Sequence, residues 1–445
     1  MLTMLKASLR VGLATAVVGV ATLSQDVTLA SRFATGPEID AYQLAMLLPM
    51  LGVNIFAGGT LQAVLVPALV RAELAHGHGG AVQLAGHARA RLARMLAVTS
   101  LPMALLFMLA LPAVSAGLSP EALSMASALF WIVLPTFFLA GLASFHAAVL
   151  NGIKAFVLAA LLPATMPLTV IVGVLLLSDA LGAPAIAWSA LLGSALQCAL
   201  AWHAARRRGF AGAGAVSDAA GYAKALPGYG SMVTAAALLG GILLTDVALA
   251  AGMPAGSVAT FGYATRPILL GLAFATVVTG NVALPHFSRL AARGEGVALR
   301  RAFLQWVGLL LALSTPLALL CALYAGEITA LLYQRGAFGA DESLRVAEVL
   351  AVFVLQAPFY LTAMIGWRVA NALGAHRAMS RIALGCFLLN GLLGFAMGGI
   401  WGLVGVAAAT VATYLLWSVL VSGFILRACR ARPECHANGM MRHES

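Results

Sequence analysis

The amino-acid sequence predicts an all-α polytopic membrane protein of about twelve transmembrane helices, arranged as two six-helix bundles. Three observations carry that prediction: an apolar composition, a series of membrane-length apolar runs, and a one-sided distribution of Lys and Arg. Of the 445 residues, 62% are hydrophobic and 9% charged, with a mean hydropathy of +0.98; an ordinary soluble domain is roughly 45–50% apolar. A transmembrane helix needs about 20 largely apolar residues. Twelve such runs centre near Val18, Phe56, Leu105, Thr136, Leu168, Ala195, Leu238, Ala273, Leu311, Phe353, Leu389 and Val411.

Threading these runs alternately from a cytoplasmic N-terminus puts 21 of the 26 Lys and Arg on one side. They are Lys6 and Arg10; Arg71, Arg89, Arg91 and Arg94; Lys154; Arg206 to Arg208 and Lys224; Arg289, Arg293, Arg300 and Arg301; Arg377 and Arg381; and Arg427, Arg430, Arg432 and Arg442. That asymmetry places both termini in the cytoplasm. The net charge of +11 is therefore topological, and no nucleic-acid partner is expected. Residues 1–25 resemble a signal peptide in having Lys6 and Arg10 before an apolar stretch, but removing them would leave an odd helix count and spoil the charge alternation.

Taken in order, the first run ends near Asp26. The second opens on "GPEIDAYQLAMLLP", Gly36 to Pro49, where Pro37 suits a helix start and Glu38 and Asp40 suit its positive dipole end; it closes at "PALVR", Pro67 to Arg71. "HGHGG", with His76, His78 and nearby His87, reads as a solvated cytoplasmic loop rather than a metal site. "TSLPMALL" falls in the third run, and "PTFFLAG" leads the fourth to "NGIKA". Pro163 and Pro167 mark the fifth, and the sixth ends on Arg206, Arg207 and Arg208. Asp246 lies in the seventh run and Arg266 in the eighth, which closes on "PHFSR", Pro285 to Arg289. "LSTPLALL" belongs to the ninth and "APFYLTA" with Arg368 to the tenth. Two further runs lead to Arg427.

These quotations contain an internal repeat of about 220 residues: "PALVR" matches "PHFSR", "TSLPMALL" matches "LSTPLALL", and Asp26 matches Asp246. Each half holds an even number of helices, so the halves enter the membrane in the same orientation. Paired bundles of this kind usually enclose a substrate site and rock against each other. The expected domains are residues 1–208, a small-residue cytoplasmic linker 209–224, a second bundle 225–429 and a polar tail 430–445. Pro49, Pro102, Pro135, Pro163, Pro167, Pro316 and Pro358 offer kinks along the apolar runs.

Ionisable groups at membrane depth cost roughly 2.5–3.5 kcal/mol each and default to functional candidates. Asp26 lies about 24 Å along the first helix from Arg10, at 1.5 Å per residue, with Asp246 at a comparable height. Arg266 has two readings: a ligand for an anionic head group, to which a guanidinium presents a fixed fork of donors, or a structural ion pair with Asp246 or Asp26. The two are compatible if the pair opens when substrate enters. Arg368 is expected to snorkel from its helix end. The five cysteines show no paired spacing. No phosphate loop, zinc-protease motif or nucleophile turn is present, so the chain is read as a transporter without a cofactor rather than an enzyme.

At these residues the sequence resembles the MurJ/MviN family of lipid-linked glycan flippases, within the multidrug/oligosaccharidyl-lipid/polysaccharide exporter superfamily. The resemblance runs through the acids and aromatics of Asp26 to Tyr42, "LLP" (Leu47 to Pro49), "IFAGG…VP" (Ile55 to Pro67) and "TDVALA" (Thr245 to Ala250). It continues through "FGYATRP" (Phe261 to Pro267), "NVALPHFSRLAARGE" (Asn281 to Glu295) and "LLYQRGAFGADES" (Leu331 to Ser343). It implies a V-shaped, MATE-like pair of bundles in a bacterial inner membrane that moves undecaprenyl-pyrophosphate-linked sugars, chiefly lipid II, to the periplasmic leaflet. Arg266 matches the family's cavity arginine. Asp26 and Asp40 match its N-terminal acids, with Asp40 an outer-gate partner for the arginine and Asp246 beside them. The substrate-binding set is thus Arg266, Asp26, Asp40 and Asp246, and the cycle is open to coupling by membrane potential, a proton or a monovalent cation. Membrane lipids and cell-envelope synthesis proteins are the implied partners. The family's other arginines are absent: Gln25 stands before the first acid, Met50 and Val53 replace polar residues after Pro49, Gly58 replaces a Glu, and Gly19 falls where an earlier arginine belongs. Members usually continue into two further helices. An exopolysaccharide repeat unit is accordingly a rival cargo, and a small-cation exporter or a non-transporting envelope scaffold are rival functions.

Overall fold

The computed structural model describes residues 2–114, 117–210 and 229–430. Most of the expected linker (211–224) and the tail from 431 onward lie outside the described residues. Among those described, the chain is helical with no strand. The first half comprises α1 (Leu2–Phe33), α2 (Pro37–Phe56), α3 (Gly59–Val114), α4 (Pro120–Gly152), α5 (Phe156–Leu161), α6 (Thr165–Leu181) and α7 (Ala183–Arg206). The second comprises α8 (Tyr229–Ala251), α9 (Ser257–Ala292), α10 (Gly296–Leu323), α11 (Ala325–Tyr333), α12 (Ala340–Phe353), α13 (Ala357–Ala372) and α14 (His376–Arg430).

Ten segments among the described residues are long and apolar enough to cross a membrane, as a multi-pass protein requires. Two are too long for one crossing: Val64–Pro112 has 49 residues and Arg377–Cys429 has 53, where about 20 suffice. Each contains one glycine that leaves helical geometry, Gly77 (φ 66°, ψ −170°) and Gly402 (φ 60°, ψ −141°). With α14 divided at Gly402, the start of α3 continuing the α2 span, and α8 counted, the helices reproduce the twelve runs of the sequence. In "HGHGG" His76 to Gly79 are exposed and Gly80 is buried, and the chain is helical on both sides of Gly77. Pro163 lies in a short tight helix between α5 and α6, and Pro358 in the first turn of α13, so neither kinks a continuous helix.

The 220-residue repeat extends to the backbone. Gly182, between α6 and α7, has φ 61° and ψ −140°, the same conformation as Gly402. Positive φ also recurs at Lys154 (63°) and Gly374 (72°), again 220 positions apart. Both end a helix in the same way: Ala155 N–H reaches the Leu150 carbonyl at 2.8 Å, and Ala375 N–H reaches the Ala370 carbonyl at 2.9 Å. This closure favours glycine at the left-handed position, which the second half has and the first lacks. A side chain there costs roughly 1–2 kcal/mol. Lys154→Gly is therefore expected to stabilise the protein by about 1 kcal/mol, read as a rise in the midpoint of thermal unfolding in detergent; an unchanged or lowered midpoint refutes it.

By its contacts the chain divides into two compact units, Met1–Tyr263 with Thr329–Arg345, and Ala264–Ile328 with Val346–Ser445. In the first, α4 packs on α2, α3 and α7, and α6 packs on α1 and α7. Small residues permit the approach, as membrane helices require: a Cβ on Gly193 of α7 would come within 2.8 Å of the Met166 backbone in α6. Arg32 pairs with Asp179 at 3.0 Å on the surface. In the second unit α13 packs on α14 and α10 through an aromatic column, Tyr360 to Tyr414 at 5.4 Å, Tyr414 to Trp417 at 5.6 Å and Trp367 to Trp417 at 6.1 Å. Asn390 and Thr413 bridge the two parts of α14 at 3.2 Å. Exposed leucines such as Leu309, Leu313, Leu317 and Leu320 on α10 suit a lipid-facing surface.

Candidate functional site

The described site begins at Asp40, in the first turn of α2 and fully buried. Its Oδ2 accepts from Gly256 N–H at 2.6 Å and its Oδ1 from Ala259 N–H at 2.7 Å. Those donors belong to the start of α9, whose first N–H groups have no partner within their own helix. Asp40 thus caps a helix 216 and more residues away, placing negative charge where the dipole favours it. Gly256 makes the geometry possible: its φ is 88°, and a Cβ there would approach the Thr35 carbonyl to 2.6 Å. One helical turn along α2, Gln43 lies directly over Gly262 of α9.

The segment "LLYQRGAFGADES" joins the same end of the first unit. The Tyr333 hydroxyl donates to the Tyr263 carbonyl at 3.1 Å, and Tyr263, Tyr333 and Phe338 form a cluster with ring centroids 5.2–5.7 Å apart. Ala337 N–H donates to the Ser31 carbonyl at 2.8 Å, beside Gly336, whose φ is 61°. Arg345 reaches Thr35 Oγ1 at 3.5 Å, and the Ser343 hydroxyl bonds Thr329 at 3.2 Å. Residues from α1, the start of α2, α9 and the α11–α12 connection therefore meet through hydrogen bonds that involve main-chain atoms.

The other expected site residues fall as follows. Asp26 and Asp246 are buried, 2% and 1% exposed, in the same unit as Asp40. Gln25 is buried as well. Arg266 is half-buried at the tenth position of α9 and belongs to the second unit. Arg368, also in the second unit, bonds the Thr276 carbonyl of α9 at 2.9 Å instead of snorkelling. Sequence reasoning missed Ser31, Thr35, Gly256 and Tyr333; the glycine after "MPA" and the "YQRGAF" segment were the available signals.

The comparisons with known proteins agree on the architecture. Residues 29–436 match the family model described as lipid II flippase MurJ. A curated relative, a probable lipid II flippase MurJ of Rhizobium tropici, is 26% identical over 357 residues, covering 76% of this chain; the match spans 65% of that relative's own length. Among solved structures, a lipid II flippase MurJ in an inward closed conformation superposes with a TM-score of 0.77 at 20% identity, over 95% of this chain and 90% of that one. An inward-facing MATE-family multidrug resistance transporter gives a TM-score of 0.74 at 14% identity, over 94% and 96%. The two structures establish the helical fold.

Proposed function

The chain belongs to the lipid II flippase MurJ family, and on that premise we propose that it carries an undecaprenyl-pyrophosphate-linked glycan across the bacterial inner membrane by alternating access. The observation that carries this reading is Arg266, a half-buried guanidinium ten residues into an apolar membrane-spanning helix. An arginine at membrane depth is expensive without a task, and its planar fork fits a pyrophosphate oxygen pair. The polyprenyl tail stays in lipid while Arg266 takes the head group. Both termini lie in the cytoplasm. Asp26, Asp40 and Asp246 serve the opposite step, release at the outer face, where a proton or monovalent cation biases the cycle by binding one state better than the other. Lipid II and an exopolysaccharide unit share the pyrophosphate that Arg266 reads; cell-envelope synthases supply the cargo.

The buried acids Asp26 and Asp246 favour a second reading, export of small cations on the same fold, against which Arg266 counts. The missing first-half arginines favour a third, a non-transporting envelope scaffold. Expression in a strain depleted of its own lipid II flippase, with lipid-linked intermediates measured when the protein is removed from its native host, separates them. Restored growth supports lipid II as cargo. Accumulation of another polyprenyl-linked glycan in the native host reassigns the cargo, and no growth rescue with no accumulation overturns the flippase reading.

A further inference from the structure

Arg368 lies within the apolar span Ala340–Ala372, in the same compact unit as Arg266. Its helix, α13, packs through Leu361, Ile365, Gly366 and Val369, all buried, and a Cβ on Gly366 would come within 2.4 Å of Val421 in α14. Tyr360, Met364 and Arg368 form the adjoining row, four residues apart, and are only half-buried. From that row the Arg368 guanidinium donates to the Thr276 main-chain carbonyl at 2.9 Å, and Tyr360 reaches the Thr276 side chain. Both therefore face α9, the helix that carries Arg266. Thr276 lies ten residues, about 15 Å, beyond Arg266 along that helix.

One bond to a neutral carbonyl does not account for a guanidinium in this place. Arg368 has five N–H donors and a permanent charge, and among the described residues no carboxylate pairs with it. An unmatched cation in an apolar span is costly and defaults to a functional role. Nor does the carbonyl require it, since inside a continuous helix such as α9 a carbonyl receives the N–H four residues on. An anionic oxygen makes a stronger bond to a guanidinium than a carbonyl does, so the contact with Thr276 is one that a phosphate can replace. We propose that Arg368 is a second phosphate ligand on the transport route: it takes the pyrophosphate of the lipid-linked glycan at entry, releasing Thr276, and Arg266 takes it further in. The inference rests on the flippase reading and its orientation, in which the end of α13 leading to Arg377 and Arg381 is cytoplasmic, so that Arg368 stands on the cytoplasmic side of Arg266. A chain without the first-half arginines thereby still offers two guanidinia, both in its second half.

The test uses the full chain in lipid nanodiscs, with sugar-free undecaprenyl pyrophosphate as the probe, undecaprenol as its uncharged counterpart, and thermal unfolding as the folding control. Wild-type protein binds the pyrophosphate more tightly than the alcohol. Arg368→Gln keeps an N–H for the Thr276 carbonyl but no charge. It is expected to weaken pyrophosphate binding about tenfold, the scale of one hydrogen bond to a charged group, and to leave binding of the alcohol unchanged. Arg368→Lys, which keeps the charge and binds phosphate as a point charge, retains roughly a third of the wild-type affinity. Wild-type affinity in folded Arg368→Gln, or a loss in Arg368→Lys as large as in Arg368→Gln, overturns the inference and leaves Arg266 and the flippase reading in place. Equal binding of pyrophosphate and alcohol by the wild-type protein overturns both.

Discussion

Arg266→Ala is expected to reduce translocation of the polyprenyl-linked precursor by about two orders of magnitude, while the protein still reaches the membrane in normal amount. Losing a guanidinium from a desolvated, hydrogen-bonded contact with an anion costs about 2–5 kcal/mol, and each 1.4 kcal/mol is tenfold. Arg266 is half-buried in an apolar span, so solvent cannot supply the missing charge. Arg266→Lys keeps the charge but not the fork and is expected to retain roughly a tenth of the activity. The measurement is precursor reaching the outer leaflet, normalised to protein in the membrane. Wild-type transport by Arg266→Ala would remove the pyrophosphate ligand from the mechanism and leave the arginine a structural role.

The second large effect is on stability. Asp40→Ala leaves the Gly256 and Ala259 N–H groups without their carboxylate in a fully buried place. Hydrogen bonds to a charged group contribute about 1.5–3 kcal/mol each, and buried donors left unmatched keep their desolvation cost, so a loss of about 3 kcal/mol is expected. Asp40→Asn is expected to be nearly as harmful, because its NH₂ would face one of the two N–H donors. Glu38→Gln, two residues earlier and half-buried, should change stability by less than about 0.5 kcal/mol. Tryptophan fluorescence during thermal unfolding of the purified protein reads all three. Asp40→Ala with wild-type stability would show that the cap contributes nothing to the fold.

The helix pattern was legible because apolar length and charge placement are properties of the sequence itself. Gly182 and Gly402 divide spans that the hydropathy had already separated around Leu168, Ala195, Leu389 and Val411. Asp40 illustrates the opposite case. Its acidity and its position in a first turn were visible, but its partners are two main-chain N–H groups over two hundred residues away, and a sequence gives main-chain atoms no distinguishing mark. The same holds for Tyr333 and Ala337, which bond the carbonyls of Tyr263 and Ser31. Arg266 stood out by charge in an apolar run. Lys154 gave no hint of its left-handed backbone, which became visible only when aligned with Gly374.

The bonds from the Thr329–Arg345 segment to Ser31, Thr35 and Tyr263 also set an order of assembly. The first compact unit draws a required part from far down the chain, so synthesis up to Tyr263 cannot finish it. During the time in which the intervening residues are made, the carbonyls of Ser31 and Tyr263 await partners that have not yet been translated. Domains otherwise fold N-terminal first as the chain emerges; here the closing of the first unit waits for the second half, and a ribosome stalled before residue 333 leaves the nascent chain open at that end.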